Sequence, residues 1–226
     1  MTSPLWTAAW ITLQLAALST LILLLLGAPL AWWLSRTRTR LKPLLEALIA
    51  LPLVLPPTVI GFYLLLAFAP HAPLGKLWLQ ATGSQLAFSF SALVVGSVIY
   101  SLPFVVQPLQ ATFSAIPNSL LEAAGTMGAT RRDRLQTIIL PLSRRGLITA
   151  GSLGFAHTIG EFGIVLMIGG NIPGQTQVLS IALYDQVEML NYAAAHQTAL
   201  LLAAASLLML ALVYSGQRPS ASAPRR

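Results

Sequence analysis

The chain has 226 residues, of which 56% are hydrophobic and only 8% charged, and its mean hydropathy is +0.75. In a soluble domain roughly a quarter of all residues are charged. This composition therefore argues against a water-soluble fold and indicates an integral membrane protein. The absence of cysteine excludes disulfides and thiolate metal sites.

Five segments are long and apolar enough to cross a bilayer, which requires about 20 mostly apolar residues. In chain order these predicted spans lie at residues 9–34, 44–68, 86–110, 146–168 and 195–214. Residues 1–8 precede the first span, and residues 215–226 form a polar tail that we expect to be disordered. The predicted fold class is all-α integral membrane, with one transmembrane domain over residues 9–214.

Prolines interrupt two of the predicted spans. Pro52, Pro56 and Pro57 lie in the second span, and Pro103 and Pro108 lie in the third. Membrane helices tolerate proline when neighbouring groups satisfy the freed carbonyls, but sharp kinks usually occur there. The sequence therefore predicts kinked or broken helices, with or without a functional role.

The basic residues predict the orientation. All Lys and Arg residues except Lys76 fall in three segments, residues 36–42, residues 131–145 and the tail after residue 217. Cytoplasmic loops carry the excess of Lys and Arg, so the N-terminus is predicted outside and the C-terminus in the cytoplasm. Termini on opposite sides of the membrane require an odd number of spans, and five spans meet that requirement. The net charge of +7 is thus explained by topology, without a nucleic-acid partner.

The polar stretch between the third and fourth spans begins with a predicted short helix. Ser119 and Glu122 have the spacing of a capping box. Gly128 can adopt the left-handed conformation that ends a helix. Between them lies an apolar or small face formed by Leu120, Ala123, Ala124 and Met127.

A second short helix is predicted to follow. Thr130 and Asp133 form a weaker capping pair, and the helix is expected to reach Leu140. Because proline disfavours helical geometry in the preceding residue, Pro141 predicts a turn before the chain re-enters the membrane. Spacing alone leaves two interpretations open, a helix that docks on a partner and a capped surface loop, and it favours the latter.

The same stretch carries a specific resemblance. Glu122-Ala123-Ala124, three residues, Gly128, nine residues, Ile138, one residue and Leu140-Pro141 resemble the EAA loop of ABC importer permeases. The resemblance implies a type I permease fold in which residues 117–141, here called the EAA loop, contain a coupling helix seated on a cytoplasmic ATPase. The residues it implies for ATPase coupling are Ser119, Glu122, Ala123, Ala124, Gly128, Ile138, Leu140 and Pro141.

The sequence carries no ATP-binding motif of its own. Gly75-Lys76 is followed by Leu77, which does not fit a phosphate-binding GxxxxGK[ST] loop. The three histidines, at 71, 157 and 196, lack metal-site spacing. We therefore expect a transporter subunit and not an enzyme, with no bound metal or cofactor, and with ATP and magnesium held by a separate ATPase subunit.

A second resemblance concerns the substrate. Gly160-Glu161-Phe162-Gly163 and the stretch 167–174 resemble molybdate permeases of the ABC importers, and sulfate permeases share a looser form. The family implies an inner-membrane location and, as partners, a second copy of the chain, two cytoplasmic ATPases and an extracytoplasmic oxyanion-binding protein. Sulfate, tungstate or another oxyanion stays an alternative. A secondary transporter is more remote, since no coupling-ion site or inverted repeat is evident.

Four polar residues are candidates for a gate or pathway: His157, Glu161, Asn171 and Thr176. No Lys or Arg lies within a predicted span, so tight charge pairing with an oxyanion is not expected. An acidic residue inside a membrane helix is a functional candidate by default, but a carboxylate would repel a dianion. We therefore favour a protonated or hydrogen-bonded structural role for Glu161 over substrate contact. A pair with His157 at i, i+4 is also possible by spacing.

Overall fold

The computed structural model describes residues 4–216, with side chains described to residue 211. The described chain is helical and contains no strand. Its α-helices are α1 (Pro4–Arg36), α2 (Lys42–Val54), α3 (Pro57–Phe68), α4 (Pro73–Thr82), α5 (Phe90–Ser114), α6 (Asn118–Thr126), α7 (Arg131–Arg134), α8 (Leu140–Ile159), α9 (Gly163–Gly169), α10 (Leu179–Glu188) and α11 (Tyr192–Gly216). A π-helical stretch, Leu135–Ile139, joins α7 to α8.

Three helices, α1, α5 and α8, pack along one another and form the centre of the molecule. Leu23, Val105 and Ala150, one from each helix, are completely buried in a shared core cluster. A Cβ added at Gly154 of α8 would lie 2.7 Å from Val105 Cγ2. The small residue thus allows the close helix approach that is typical of membrane bundles.

Two predicted spans are broken helices. α2 and α3 meet at an angle of 108°, and the helical stretch that ends at Ile159 meets α9 at 60°. The first break falls at Leu55 and Pro56, where Pro57 restricts its predecessor to an extended backbone. The third predicted span, in contrast, is one continuous helix, α5, that contains both of its prolines.

By length and composition, α1, α5 and α11 could each cross a membrane alone, and five crossings result if each bent pair counts as one. α1 begins at Pro4, five residues before the predicted span, and α11 begins at Tyr192. Most of the predicted tail, residues 217–226, lies outside the described residues. Leu200, Leu207 and Leu208 leave the apolar surface of α11 exposed for lipid or another helix.

The short helix α9 fills the space between α3 and α5. Ile164 and Ile168 are completely buried there. Added Cβ atoms at Gly61 of α3 and Gly96 of α5 would lie 2.8 Å from Met167 Cβ and 2.4 Å from Ile168 Cδ1. Close packing therefore fixes the position of the chain immediately after Glu161.

Candidate functional site

Helix α6 has an inner and an outer face. Ala124 is buried and Leu121 is half-buried on the inner face. On the outer face Ala123 is exposed, and Leu120 and Met127 retain 43% and 81% of their accessible surface. An apolar surface of this kind at the end of a polar loop can bind another protein.

Arg36, at the end of α1, holds the start of α6 in place. Its Nη2 atom donates to the carbonyl oxygens of Phe113 and Ile116, both at 3.0 Å, and its Nη1 atom donates to Asn118 Oδ1. The guanidinium also lies over the ring of Trp32, 4.7 Å from its centroid. One arginine therefore links α1, the end of α5 and the first residue of α6.

The predicted capping box of Ser119 and Glu122 is wrong. α6 begins at Asn118, two residues earlier than a cap at Ser119 would place it, with Pro117 as its N-cap and no capping side chain. Ser119 is already inside the helix, so its hydroxyl is not placed to cap the first turn. The extended backbone of Pro117 and the bond from Arg36 to Asn118 set the start of the helix, and both Ser119 and Glu122 are exposed.

The predicted end of this helix is confirmed. Gly128 has a φ of +86°. Its N–H donates to the carbonyl of Gly125 at 3.0 Å, and the N–H of Ala129 donates to that of Ala124 at 2.9 Å. These two bonds form a Schellman motif, which satisfies the last carbonyls of a helix.

The second predicted cap is also confirmed. The Thr130 hydroxyl accepts from the Asp133 N–H at 3.2 Å, and the Thr130 N–H donates to Asp133 Oδ2 at 2.9 Å. The Thr130 hydroxyl also donates to the same carboxylate oxygen at 2.7 Å. Bonds from the Thr130 side chain and then from its backbone lower the pKa of Asp133 below its ordinary value.

Thr130→Val is expected to raise the Asp133 pKa toward its ordinary value, because it removes the largest cause of the shift. In the native chain the ionised carboxylate stabilises this turn above the usual Asp pKa, and the contribution is lost as the pH falls through the lowered pKa. Titration of the Asp133 carboxyl by NMR measures the change. Thr126→Val is the control, since the Thr126 hydroxyl donates to the Ala123 carbonyl and not to Asp133. An unchanged Asp133 titration would contradict the capping geometry.

The turn predicted before Pro141 is wrong. The π-helical stretch continues directly into α8, and Pro141 lies in the first turn of that helix. A proline ring clashes with the carbonyl four residues earlier in an α-helix. Here the Leu140 N–H bonds to Leu135 five residues back, so the wider π-helical turn can accommodate the ring without a break. Ile138 is half-buried and Leu140 is exposed.

Two serines of α5 bind the polar residues in the last turn of α8 and just after it. The Ser97 hydroxyl donates to Glu161 Oε2 at 2.8 Å, and Ser101 Oγ bonds to His157 Nδ1 at 2.8 Å. Ser180 of α10 donates to the Glu161 carbonyl at 2.5 Å. Glu161 is only 4% exposed, and its Oε1 atom has no hydrogen-bond partner. It thus connects α5, the helix break and α10.

The pair between His157 and Glu161 that the i, i+4 spacing allowed does not form. α8 ends at Ile159, so Glu161 is not one helical turn above His157. Each residue bonds to a separate serine instead. The imidazole of His157 also stacks on Phe104, with ring centroids 3.9 Å apart.

Asn171 and Thr176 hold the loop after α9. Asn171 Nδ2 donates to both carboxylate oxygens of Asp185, at 3.1 and 2.8 Å, and Gln177 Nε2 donates to Asn171 Oδ1 at 3.0 Å. Thr176 is completely buried; its hydroxyl donates to the Gly169 carbonyl at 2.6 Å and accepts from the Ile172 N–H at 3.0 Å. Both side chains are thus occupied by bonds within the chain.

Comparison with known proteins identifies the family. Residues 6–218 match the family described as the binding-protein-dependent transport system inner membrane component. The chain belongs to this family of inner membrane transport components. It is therefore a permease subunit of a transport system and not an enzyme, as the sequence predicted.

Individual permeases support this assignment. The chain is 53% identical over 208 residues, 92% of each chain, to a protein named molybdenum transport system permease from Azotobacter vinelandii. It is 33% identical over 211 residues, 93% of this chain and 76% of the other, to a sulfate transport system permease from Escherichia coli K12. A chain of a bacterial alginate ABC transporter shares the fold, with a TM-score of 0.78 and 16% identity over 96% of this chain and 80% of the other.

Several residues of this permease that position the candidate site were not singled out from the sequence. Ser97 and Ser101 are spaced i, i+4 on α5, which matches the spacing of His157 and Glu161, and this correspondence could have revealed the contact. Arg36 was interpreted only as a topology signal. Within the described part of the permease, no group of three or more His, Cys, Asp or Glu side chains could hold a metal ion.

Proposed function

We propose that the chain is the membrane-spanning subunit of an ATP-driven molybdate importer, in which two copies enclose the pathway. The observation that carries this proposal is the 53% identity to a molybdenum transport permease over nearly the full length of both chains. The similarity to a sulfate permease, at 33%, is lower. Sulfate or tungstate is the alternative substrate.

The proposed topology has five crossings, with the N-terminus outside and the C-terminus in the cytoplasm. α1, α5 and α11 are three of the crossings, and each bent pair supplies one more. This arrangement is supported by the positions of the basic residues, because Arg131, Arg132 and Arg134 then lie in the cytoplasm.

α6 is proposed to be the coupling helix that contacts the ATPase. Three features support this role: the exposed apolar outer face of α6, the exposed Glu122 side chain, and the bonds from Arg36 that hold the start of the helix. Because Arg36 ties α6 to both α1 and α5, a displacement of α6 would be transmitted to two central helices. Ile138, Leu140 and Pro141 would carry the same displacement into α8 through the continuous helix.

Glu161 is proposed to be a neutral, hydrogen-bonded structural residue beside the pathway. The only ion pair among the described residues is Lys42–Glu46, so an ionised Glu161 would be a buried, unpaired charge, which is strongly unfavourable. His157 has the same supporting role through Ser101. Because Asn171 and Thr176 are engaged in bonds of the outer loop, we propose that they shape the outer mouth and do not contact the oxyanion directly.

The complete assembly is proposed to contain two permease copies, two ATPase subunits with ATP and magnesium, and an extracytoplasmic oxyanion-binding protein. The permease itself offers no cationic side chain inside a predicted span. Selectivity would therefore reside in the binding protein, and the permease would make only weak contacts with its substrate. Weak contacts permit the rapid release that transport requires.

Transport by the reconstituted assembly tests this function. We expect ATP turnover in proteoliposomes to rise with molybdate-loaded binding protein, and molybdate uptake to persist in excess sulfate. Equal stimulation by sulfate-loaded binding protein would overturn molybdate as the specific substrate, but it would leave the assignment to ATP-driven importers in place. An absence of any stimulation, with all components bound, would overturn the proposal of an ATP-driven importer.

A further inference from the structure

A cavity of about 590 Å³ lies beside the EAA loop, between the end of α1, the last turn of α5 and the start of α8. Its volume is in the range of small-molecule binding sites, which are mostly apolar with a few placed polar groups. The lining follows that pattern. Its principal apolar side chains are those of Ala28, Trp32, Phe113 and Leu147, and its charged side chains are Arg131 and Arg134.

The two arginines have donors to spare. Neither forms an ion pair among the described residues, where Lys42–Glu46 is the only one. Arg134 Nη1 donates to the Leu121 carbonyl at a long 3.4 Å, and its Nε atom has no partner. No hydrogen bond of the Arg131 side chain is present in the described part of the chain. A guanidinium binds phosphate oxygens particularly well, often with two parallel bonds.

The position of the cavity indicates where its ligand comes from. Ala28 lies eight residues before Arg36, about 12 Å along α1, so the cavity extends from the polar end of the helix into its apolar part. Pro29 and Leu140 line it and are exposed. An occupant must therefore have an anionic group at one end and an apolar body.

We propose that this cavity binds one anionic phospholipid of the cytoplasmic leaflet, with an acyl chain in the apolar part and the phosphate at Arg131 and Arg134. Basic pockets between membrane helices on this side are suited to such head groups. The assignment to the cytoplasmic leaflet rests on the topology given under the proposed function. Because Arg134 also bonds to Leu121 of α6, the lipid would support the coupling helix directly.

A second copy of the chain is a less suitable occupant. The chain has six acidic residues. Glu46 is paired with Lys42 and Gln110, Asp133 caps α7 and Glu161 is buried. Asp185 and Glu188 lie on α10, which packs near the start of α1, at the opposite end of the bundle. Among the described residues, Glu122 is therefore the one acidic side chain at this end that is neither buried nor bonded to another side chain. Charge complementarity therefore favours a phospholipid.

Native mass spectrometry of the full-length purified chain tests the proposal, with phosphatidylglycerol and phosphatidylcholine supplied in equal amounts. We expect the native chain to retain phosphatidylglycerol in preference. Arg131→Gln combined with Arg134→Gln should lower that retention about tenfold. The matched control, Arg132→Gln with Arg144→Gln, removes two exposed arginines that do not line the cavity and should stay within about twofold of the native chain.

Ala28→Phe provides an independent variant, because it fills the apolar part of the cavity without altering charge, and it should also reduce retention. Equal retention of the two lipids, or equal losses in the double variant and its control, would overturn the proposal. A double variant that changes the dimer fraction and not the lipid count would assign the cavity to a second copy. The assay requires neither ATPase nor oxyanion, so its failure is distinguishable from a failure of the transport function.

Discussion

Glu122→Lys is expected to weaken ATPase binding about 100-fold, or ~2.7 kcal/mol, and to abolish molybdate uptake. Glu122 is exposed on α6, and its side chain forms no hydrogen bond or ion pair within the described part of the chain. Its replacement therefore leaves the permease fold intact. A lysine at this position instead places a reversed charge on the surface that we propose contacts the ATPase, where a like-charge contact costs several kcal/mol.

Copurification of the ATPase with the permease measures this effect, together with uptake in proteoliposomes. Gln136→Lys is the control, because Gln136 is an exposed residue of the same loop outside α6. The Gln136→Lys variant should bind the ATPase as strongly as the native permease does. If Glu122→Lys retained both ATPase binding and uptake, α6 would not be the coupling surface.

Glu161→Ala is expected to destabilise the permease by about 1–3 kcal/mol and to eliminate most uptake. The substitution removes the acceptor of the buried Ser97 hydroxyl, and an unsatisfied buried polar group has a cost of this size. It also removes the side-chain hydrogen bond that fixes the helix break to α5. The chain after the break would then be held mainly by Ser180 and by the packing of α9.

Glu161→Gln is the matched variant, because it keeps the shape and the acceptor while removing the ability to ionise. We expect its thermal unfolding midpoint and its uptake to stay close to those of the native chain. Both quantities can be measured on the same purified preparations. A Gln variant that is as stable as the native chain but inactive would show that the ionisable carboxyl itself is required, contrary to the structural role.

Local chemistry was sufficient for parts of the EAA loop. Gly128 and the pair Thr130 and Asp133 adopt the predicted conformations, since the groups that determine them lie within a few residues. The capping role predicted for Ser119 was wrong for the opposite reason. The bond that fixes the start of α6 comes from Arg36, 82 residues before Asn118, and short-range spacing cannot reveal it.

The break after α8 shows the same limit. The prolines predicted the break between α2 and α3, but sequence patterns did not reveal that α8 ends at Ile159 or that Glu161 bonds across to Ser97. Hydropathy records whether a segment is apolar and not whether its backbone is continuous. Pro141 was misleading because a π-helical turn accommodates it, and the choice between a π-turn and a break is made by the packing of the whole loop.

The most direct test of the account is the exposure of α6 in the working assembly. The chain has no cysteine, so Ala123→Cys introduces a single reporter on the outer face of this helix. We predict that a membrane-impermeant maleimide reaches it only from the cytoplasmic side, and that bound ATPase blocks the reaction. Labelling from the extracytoplasmic side, or equal labelling with and without ATPase, would contradict the proposed coupling of α6 to the ATPase.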